Sequence, residues 1–277
     1  MINVYAFLRG KAEEVDKFFR GESADVEKQT LEEHVDKALK ALDDVKYSRI
    51  WKYAVKLFEK DEDLFEEYLK VIITFHDIGK IFYQANVYSD KKKGVKYLNF
   101  RGHEYFSTYL ADEYLWLEDC KLDRSLILSA ILYHHHAMGL KERGKIKELR
   151  VCKIEKEYDT MCEIVGDILR SHGLQTSEYL RYLKSLKDKL EYKNDMLVLK
   201  QRFVNDVYRE VDNINRGIWN LFIKDKMFRR RMLMLTVMLQ ICDYKGSEDR
   251  TKRSPKFYNI LKEFIELYKF NTFSKLK

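Results

Sequence analysis

The chain has 277 residues, of which 45% are hydrophobic and 35% are charged, a composition typical of a globular protein with a substantial core. One proline and 11 glycines leave few obligatory breaks, which favours long helices over a turn-rich β architecture. No stretch reaches the ~18 apolar residues that a membrane-spanning helix needs, so the composition argues against a membrane protein.

Charge, cysteine usage and the N-terminal sequence indicate the possible partners and the cellular location of the protein. The net charge of +7 permits a polyanionic partner but does not establish one. The four cysteines are scattered without a Cys-x-x-Cys pair, so we expect reduced thiols rather than disulfides or a zinc knuckle. The first ten residues resemble a short strand or an extended arm and lack the features of a secretion signal. We therefore expect a cytoplasmic protein.

The apolar pattern predicts one helix after another along most of the chain. The clearest predicted helices span residues 31–42, 66–82, 103–117, 123–137 and 227–244. Residues 66–82 are apolar on most sides, as in a central buried helix. The stretch 86–102 is polar, Lys-rich and glycine-containing, and it predicts a loop. Asp123 is a plausible N-cap for the helix that follows it.

Domain organisation is predicted from the absence of repeats, low-complexity tracts and linkers. We expect a single domain over residues 1–277, with its core at about 28–140 and 227–250. Residues 153–224 are again helical in pattern and carry no chemical motif, so they are predicted to be a helical elaboration. The predicted fold class is all-α, a helical bundle with this elaboration and a short N-terminal strand or arm.

Histidines are concentrated beside the apolar helices. Six of the seven occur at four places, which are His34, His76, His103 and the run His134–His136. His76 and Asp77 would lie about 100° apart around the buried helix, so both could approach one ion from adjacent directions. A buried carboxylate carries a large desolvation cost, which a metal ion would offset. The spacing from preceding apolar residues places His134 and His135 on the inward face of their helix, and Asp243 ends an apolar run.

Each of these features has a simpler explanation when taken alone. A single buried histidine is more often a hydrogen-bonded core residue, and a histidine run at a helix end can interact with the helix dipole. Asp243 could form a salt bridge with an arginine at 229–231. His172 has no partner in the pattern and is interpreted as structural or exposed. The four histidine groups and two aspartates taken together favour a metal site.

The ordered series of motifs resembles the HD phosphohydrolase superfamily, and within it the HD nuclease of type I CRISPR interference. The matching motifs are His34, His76-Asp77-Ile78-Gly79-Lys80, His103-Glu104-Tyr105-Phe106-Ser107, His134-His135 and Asp243. The resemblance implies an HD-domain helical bundle that holds two divalent metal ions. It covers residues 28–140 and 227–250.

The resemblance also implies a role for each matching residue. The first ion would be bound by His34, His76, Asp77 and Asp243. The second would be bound by His103, His134 and His135. Asp77 would bridge the two ions, Lys80 would lie beside them and hold a phosphate oxygen, and Ser107 would support a ligand or the substrate. The register of the histidine run stays open, because His135 and His136 are an alternative pair.

Two metal ions can activate water, neutralise phosphate oxygens and stabilise the leaving oxygen without a protein nucleophile. Imidazole-rich coordination suits Mn²⁺, Co²⁺, Ni²⁺ or Fe²⁺ better than Mg²⁺, although Mg²⁺ is an alternative. Basic segments could guide a nucleic-acid backbone, although any one of them is more often a solvated face. These segments are Lys91–Lys93, Lys141–Arg150 and Arg229–Arg231.

The expected function is cleavage of single-stranded DNA in CRISPR-Cas interference, with an RNA-guided complex. The sequence has no Gly-x4-Gly-Lys-Ser/Thr motif and no room for two motor domains, so a helicase would be a separate subunit. One alternative is an HD phosphohydrolase of nucleotides or cyclic nucleotides. Another is a non-catalytic HD scaffold, which the complete ligand series disfavours.

Overall fold

The computed structural model describes residues 3–46, 48–135 and 148–247. Within these ranges the chain is mainly helical. The α-helices, numbered in chain order, are α1 (Ala12–Phe19), α2 (Leu31–Val45), α3 (Arg49–Leu57), α4 (Glu62–Phe75), α5 (His103–Leu117), α6 (Arg124–Tyr133), α7 (Glu155–Ser171), α8 (Ser177–Ser185), α9 (Gln201–Lys224) and α10 (Lys226–Gly246). Short 3₁₀ helices span Ile78–Tyr83 and Leu186–Lys189. None of the helices in the described ranges is both long enough and apolar enough to cross a membrane.

Two small antiparallel sheets accompany the helices, so all-α describes the fold only approximately. Their strands are β1 (Tyr5–Lys11), β2 (Val26–Thr30), β3 (Val87–Asp90), β4 (Val95–Leu98), β5 (Arg150–Cys152), β6 (Leu190–Lys193) and β7 (Met196–Leu199). One sheet has the order β2-β1-β4-β3 and the other β5-β7-β6. The expected N-terminal strand is β1. The prediction of a loop over 86–102 was wrong in part, because this segment forms the β3–β4 hairpin.

The helices pack around one large apolar core. Helix α10 packs against α2, α4 and α6, while α5 packs against α6 and the first 3₁₀ helix. Helix α2 begins at a capping box in which the Thr30 hydroxyl accepts from the Glu33 amide and the Glu33 carboxylate accepts from the Thr30 amide. This cap sets the start of α2, so that His34 lies on the same buried face as Val35 and Ala38.

The predicted helix over 66–82 is interrupted in the structure. Helix α4 ends at Phe75, and the 3₁₀ helix begins at Ile78, so His76 and Asp77 occupy the junction rather than a continuous helix. A Cβ atom on Gly79 would lie 2.5 Å from both the His103 carbonyl and the Ser107 amide of α5. The tighter turn therefore allows the backbone after Asp77 to approach α5 closely.

Helix α6 is also shorter than its predicted span of 123–137. Its N-terminus agrees with the prediction, because the Asp123 side chain accepts a hydrogen bond from the Leu126 amide. It ends at Tyr133, so His134 is the C-cap residue and His135 lies beyond the helix. His136 lies outside the described residues.

Candidate metal centre

Seven of the residues singled out in the sequence converge in the core. Among the described residues they form two groups of possible metal ligands, and within each group the ligand atoms lie within 4.8 Å of one another. The groups are His34, His76, Asp77 and Asp243, and His103, His134 and His135. They come from α2, the α4–3₁₀ junction, the start of α5, the end of α6 and the C-terminal half of α10. The packing of these helices thus brings together side chains as far apart in sequence as His34 and Asp243.

The first group is compact and buried. The Nε2 atoms of His34 and His76 lie 3.3 Å apart. The Asp243 Oδ1 atom lies 3.1 Å from His34 Nε2 and 3.5 Å from His76 Nε2. Both histidine side chains are fully buried, whereas the Asp243 side chain is 14% exposed. Asp243 therefore faces the site rather than the arginines at 229–231. One of these, Arg231, instead contacts Leu57 and Glu59.

Asp77 lies between the two groups and directs one carboxylate oxygen at each. Its Oδ2 atom is 3.2 Å from His34 Nε2 and 3.5 Å from His76 Nε2. Its Oδ1 atom is 2.9 Å from His103 Nε2, in the second group. Asp77 would therefore be available to both groups if each of them held an ion.

Three histidines share the same backbone contact, which orients their rings. The Nδ1 atoms of His76, His103 and His134 lie 2.6, 2.7 and 2.6 Å from the carbonyl oxygen three residues earlier. A carbonyl can only accept, so each Nδ1 carries a proton, and in the neutral form of such a ring the lone pair is on Nε2. This contact is the one that metal-binding histidines commonly make with a backbone carbonyl.

His134 provides a further test of whether a metal ion fits. Its Nε2 atom is buried and has no hydrogen-bond partner among the described residues. Burial, together with the nearby His76 and His103, lowers the pKa of His134 to about 3. The imidazole is therefore neutral, which is the form that binds metal ions. A buried lone pair and mixed nitrogen and oxygen donors both fit a divalent cation.

The two aspartates are held in their charged form. Burial would raise the pKa of Asp77, but Lys80 and the neighbouring histidines lower it well below its usual value. Burial opposes ionisation of Asp243 as well, yet the close contacts with His34 and His76 hold its pKa well below normal. Both groups thus offer anionic oxygen ligands at neutral pH.

Lys80 and Ser107 lie next to the ligands but are themselves buried. The Lys80 ammonium is 2.5 Å from Asp77 Oδ2 and 3.3 Å from the Ala6 carbonyl oxygen. The Ser107 hydroxyl accepts a hydrogen bond from the Gly79 amide at 2.9 Å, and the residue is fully buried. The buried position of Ser107 suits a residue that supports the segment carrying Asp77 better than one that contacts substrate.

The remaining histidine lies apart from this centre, and one neighbouring residue was overlooked. His172 belongs to neither group, and its Nε2 atom lies 3.1 Å from Asp36 Oδ1, a partner that the sequence pattern did not indicate. Glu104 is fully buried, and its Oε2 atom is 3.6 Å from His103 Nδ1. The sequence analysis named Glu104 only as part of the motif that begins at His103. A carboxylate on an apolar helix could itself have indicated a functional residue. Of the basic segment 141–150, only the last three residues are described.

Comparison with known proteins identifies the family. A family model for the HD domain matches residues 47–161. The chain is 31% identical over 254 residues to the CRISPR-associated endonuclease Cas3-HD of Pyrococcus furiosus, and the alignment covers 87% of this chain and 97% of that protein. The chain belongs to the Cas3-HD family of HD nucleases. It is also 26% identical over 250 residues to the CRISPR-associated endonuclease Cas3-HD of Methanocaldococcus jannaschii, covering 87% and 93%. No solved structure matches it significantly.

Membership in the Cas3-HD family makes this chain a metal-dependent nuclease, and the His/Asp cluster is the place that could hold the metal. The HD-domain match begins after His34 and ends before Asp243. These two residues join the site through the packing of α2 and α10, with Asp243 Oδ1 3.1 Å from His34 Nε2. The structure therefore extends the candidate centre beyond the segment that the family model covers.

The histidine run allows a direct test of register. We expect His134→Ala and His135→Ala to be inactive, because both side chains belong to the second ligand group. His136→Ala should retain measurable activity, since the predicted ligand pair is His134 and His135. Cleavage rate and metal content of the three purified variants provide the check. If His136→Ala were inactive and His134→Ala were active, the ligand pair would be His135 and His136 instead.

Proposed function

We propose that this chain cleaves single-stranded DNA in CRISPR-Cas interference, using two divalent metal ions and acting with a separate helicase and an RNA-guided complex. The observation that carries the proposal is the position of Asp77, whose two oxygens face two different ligand groups at 2.9 and 3.2 Å. Both relatives are named as CRISPR-associated endonucleases, which supports the biological setting.

In this proposal each ligand group holds one ion. His34, His76, Asp77 and Asp243 would bind the first ion, and His103, His134 and His135 would bind the second, with Asp77 shared. The five imidazoles favour Mn²⁺, Co²⁺, Ni²⁺ or Fe²⁺ over Mg²⁺. Bound there, such ions supply an activated water and neutralise the oxygens of the scissile phosphate.

The protein's own groups would prepare this site before substrate arrives. The carbonyl contacts at Nδ1 hold three imidazoles with their Nε2 lone pairs available, so no rotation is needed on metal binding. Lys80 balances the charge of Asp77 and, as the nearest ammonium, would interact with a phosphate oxygen when one enters. Because its side chain is only 8% exposed, this requires the phosphate to approach closely.

The burial of the centre supports a single strand as the substrate. His34 and His76 are fully buried and Asp77 is 1% exposed, so a phosphate must reach them in a depression between helices. Duplex DNA is stiff over tens of base pairs and cannot bend sharply into such a depression without cost. A single strand can thread into it, with basic side chains along its backbone.

The test offers the purified chain labelled single-stranded DNA, single-stranded RNA, blunt duplex DNA and a nucleotide panel, each with Mg²⁺, Mn²⁺, Co²⁺, Ni²⁺ or Fe²⁺. We expect metal-dependent cleavage of single-stranded DNA, while duplex resists until a helicase opens it. Cleavage should weaken with added salt, because phosphate contacts release counterions. Rapid cutting of blunt duplex would contradict the proposal. Activity confined to mononucleotides would favour a nucleotide phosphohydrolase.

A further inference from the structure

The four-stranded sheet has one face that helix α1 does not cover. On the covered face, Leu8, Leu98 and Val15 form a small apolar cluster. On the opposite face, cross-strand pairing places Arg9 beside Tyr97 on β4, and Tyr97 beside Tyr88 on β3. Residues directly opposite in neighbouring strands share a face, so these three side chains lie together on the side away from α1.

Among the residues that the structure describes, the two tyrosines on this face are at least partly exposed. Tyr88 is 50% exposed, and its ring centroid lies 5.2 Å from that of Tyr97 with the planes tilted by 45°. Such rings offer flat apolar surfaces on which unpaired nucleic-acid bases stack regardless of sequence. A cross-strand aromatic pair also stabilises a hairpin, and the experiment below separates the two roles.

The charge around these rings is strongly positive. Strand β1 and the β3–β4 hairpin, including its turn, contain six Lys or Arg residues and one acidic residue, Asp90. One of the six, Lys96, pairs with Asp16 of α1 and does not add to the charge of this face. Asp90 pairs with Lys93 at 3.4 Å. Burial, Tyr88 and Asp90 raise the pKa of Tyr97, whereas the smaller effects of Lys93 and Arg9 lower it, so both cations and Asp90 lie near this ring. An aromatic surface edged by excess positive charge complements an exposed base on an anionic backbone.

One end of this face packs against the helix that carries Asp243. Gln29 is paired with Phe7 on this side of the sheet, and its side-chain amide donates to the Gly246 carbonyl oxygen at 2.9 Å. Gly246 lies on α10, three residues after Asp243. At the start of β1, the Ala6 carbonyl oxygen is 3.3 Å from the Lys80 ammonium. Strand β1 then runs roughly 10 Å from Ala6 to Arg9, a distance that a few nucleotides bridge.

We propose that this face is the track along which a single strand enters the metal centre. Bases stack on Tyr88 and Tyr97, while Arg9 and Lys91–Lys93 contact the backbone phosphates. The strand then follows β1 toward Lys80 and Asp77. This inference rests on the proposed function, because it assigns the path of the single-stranded substrate to a surface outside the metal site.

The test measures binding without cleavage, in EDTA, by fluorescence anisotropy of labelled single-stranded DNA of about 4 and about 12 nucleotides. Tyr97→Ala should weaken binding of the longer oligonucleotide by about tenfold or more and reduce its advantage over the shorter one. Tyr97→Phe should bind like the parent, because the ring is kept. Arg9→Gln should reduce the salt dependence of DNA binding by an amount that corresponds to about one phosphate contact. In cleavage assays, Tyr97→Ala should raise KM far more than it changes kcat.

Tyr192 provides a matched control. It is 61% exposed and lies on β6, a short strand of the other sheet. Tyr192→Ala should bind both oligonucleotides like the parent. The thermal midpoint of each variant shows whether the hairpin is intact, and Tyr88→Ala gives a second, edge-strand substitution if Tyr97→Ala does not fold.

The outcomes separate this inference from the proposed function. If the parent binds and cleaves single-stranded DNA while folded Tyr97→Ala and Tyr88→Ala bind it within twofold of the parent, the track is wrong and the nuclease proposal stands. An equal loss in Tyr192→Ala would also overturn the track. If the parent neither binds nor cleaves single strands, both proposals fail. If the variants bound single-stranded DNA like the parent but no longer bound the helicase or the RNA-guided complex, this face would be a protein-binding surface and the track would be wrong.

Discussion

Replacing Asp77 by alanine is expected to reduce nuclease activity to the background of the assay and to lower the amount of bound metal. Asp77 contacts His34 and His76 through one oxygen and His103 through the other, so under the proposed assignment its loss removes a ligand from both ions at once. It also removes the carboxylate partner of the buried Lys80 ammonium, which adds positive charge where cations must bind. Elemental analysis of the purified variant, alongside a cleavage assay, measures both effects.

The interpretation of that experiment depends on the variant staying folded. Asp77→Asn keeps the shape of the side chain and removes only its charge, so it should lose metal with a smaller change in thermal midpoint. His172→Ala is the control, because His172 pairs with Asp36 outside both ligand groups and its loss should leave activity and metal content unchanged. Full metal occupancy in a folded Asp77→Ala protein would refute the bridging assignment.

The convergence of the site could be anticipated because its residues continue apolar stripes. His34 lies on the stripe of α2, and Asp243 follows the apolar run of α10, so burying those helices must also bury these side chains. The structure brings both residues together with the histidines proposed from the sequence. Their roles as ligands stay a prediction that the metal analyses test.

Details that depend on distant contacts could not be read from local patterns. The apolar run continues past Phe75, and nothing in it marks the end of α4. The turn at His76 and Asp77 accompanies a close contact between Gly79 and α5, which begins more than 20 residues later in the chain. The β3–β4 hairpin was hidden for a different reason. Its strands have four residues each, and the lysines between them resemble an ordinary polar loop.

Replacing Gly79 by alanine is expected to destabilise the protein by about 1–3 kcal/mol or more, the range typical of overpacking. The added Cβ would lie 2.5 Å from the His103 carbonyl oxygen and from the Ser107 amide nitrogen. Both are backbone atoms, so they cannot rotate away as a flexible side chain would. Helix α5 must therefore shift relative to the 3₁₀ helix, and the Gly79–Ser107 hydrogen bond must lengthen.

The same shift should also weaken metal binding, because His103 begins α5 and contacts Asp77 directly. Gly217→Ala is the matched control. Among the described residues, no atom outside its own stretch of helix backbone lies within 4 Å of the position of its added Cβ, and it lies inside α9, where alanine should stabilise the helix by roughly 0.5–1 kcal/mol. Denaturant unfolding of both variants, with metal content measured in parallel, tests the pair. Gly79→Ala could instead be as stable as the parent and bind metal equally well. The close approach of the Gly79 backbone to α5 would then not be what holds Asp77 against His103.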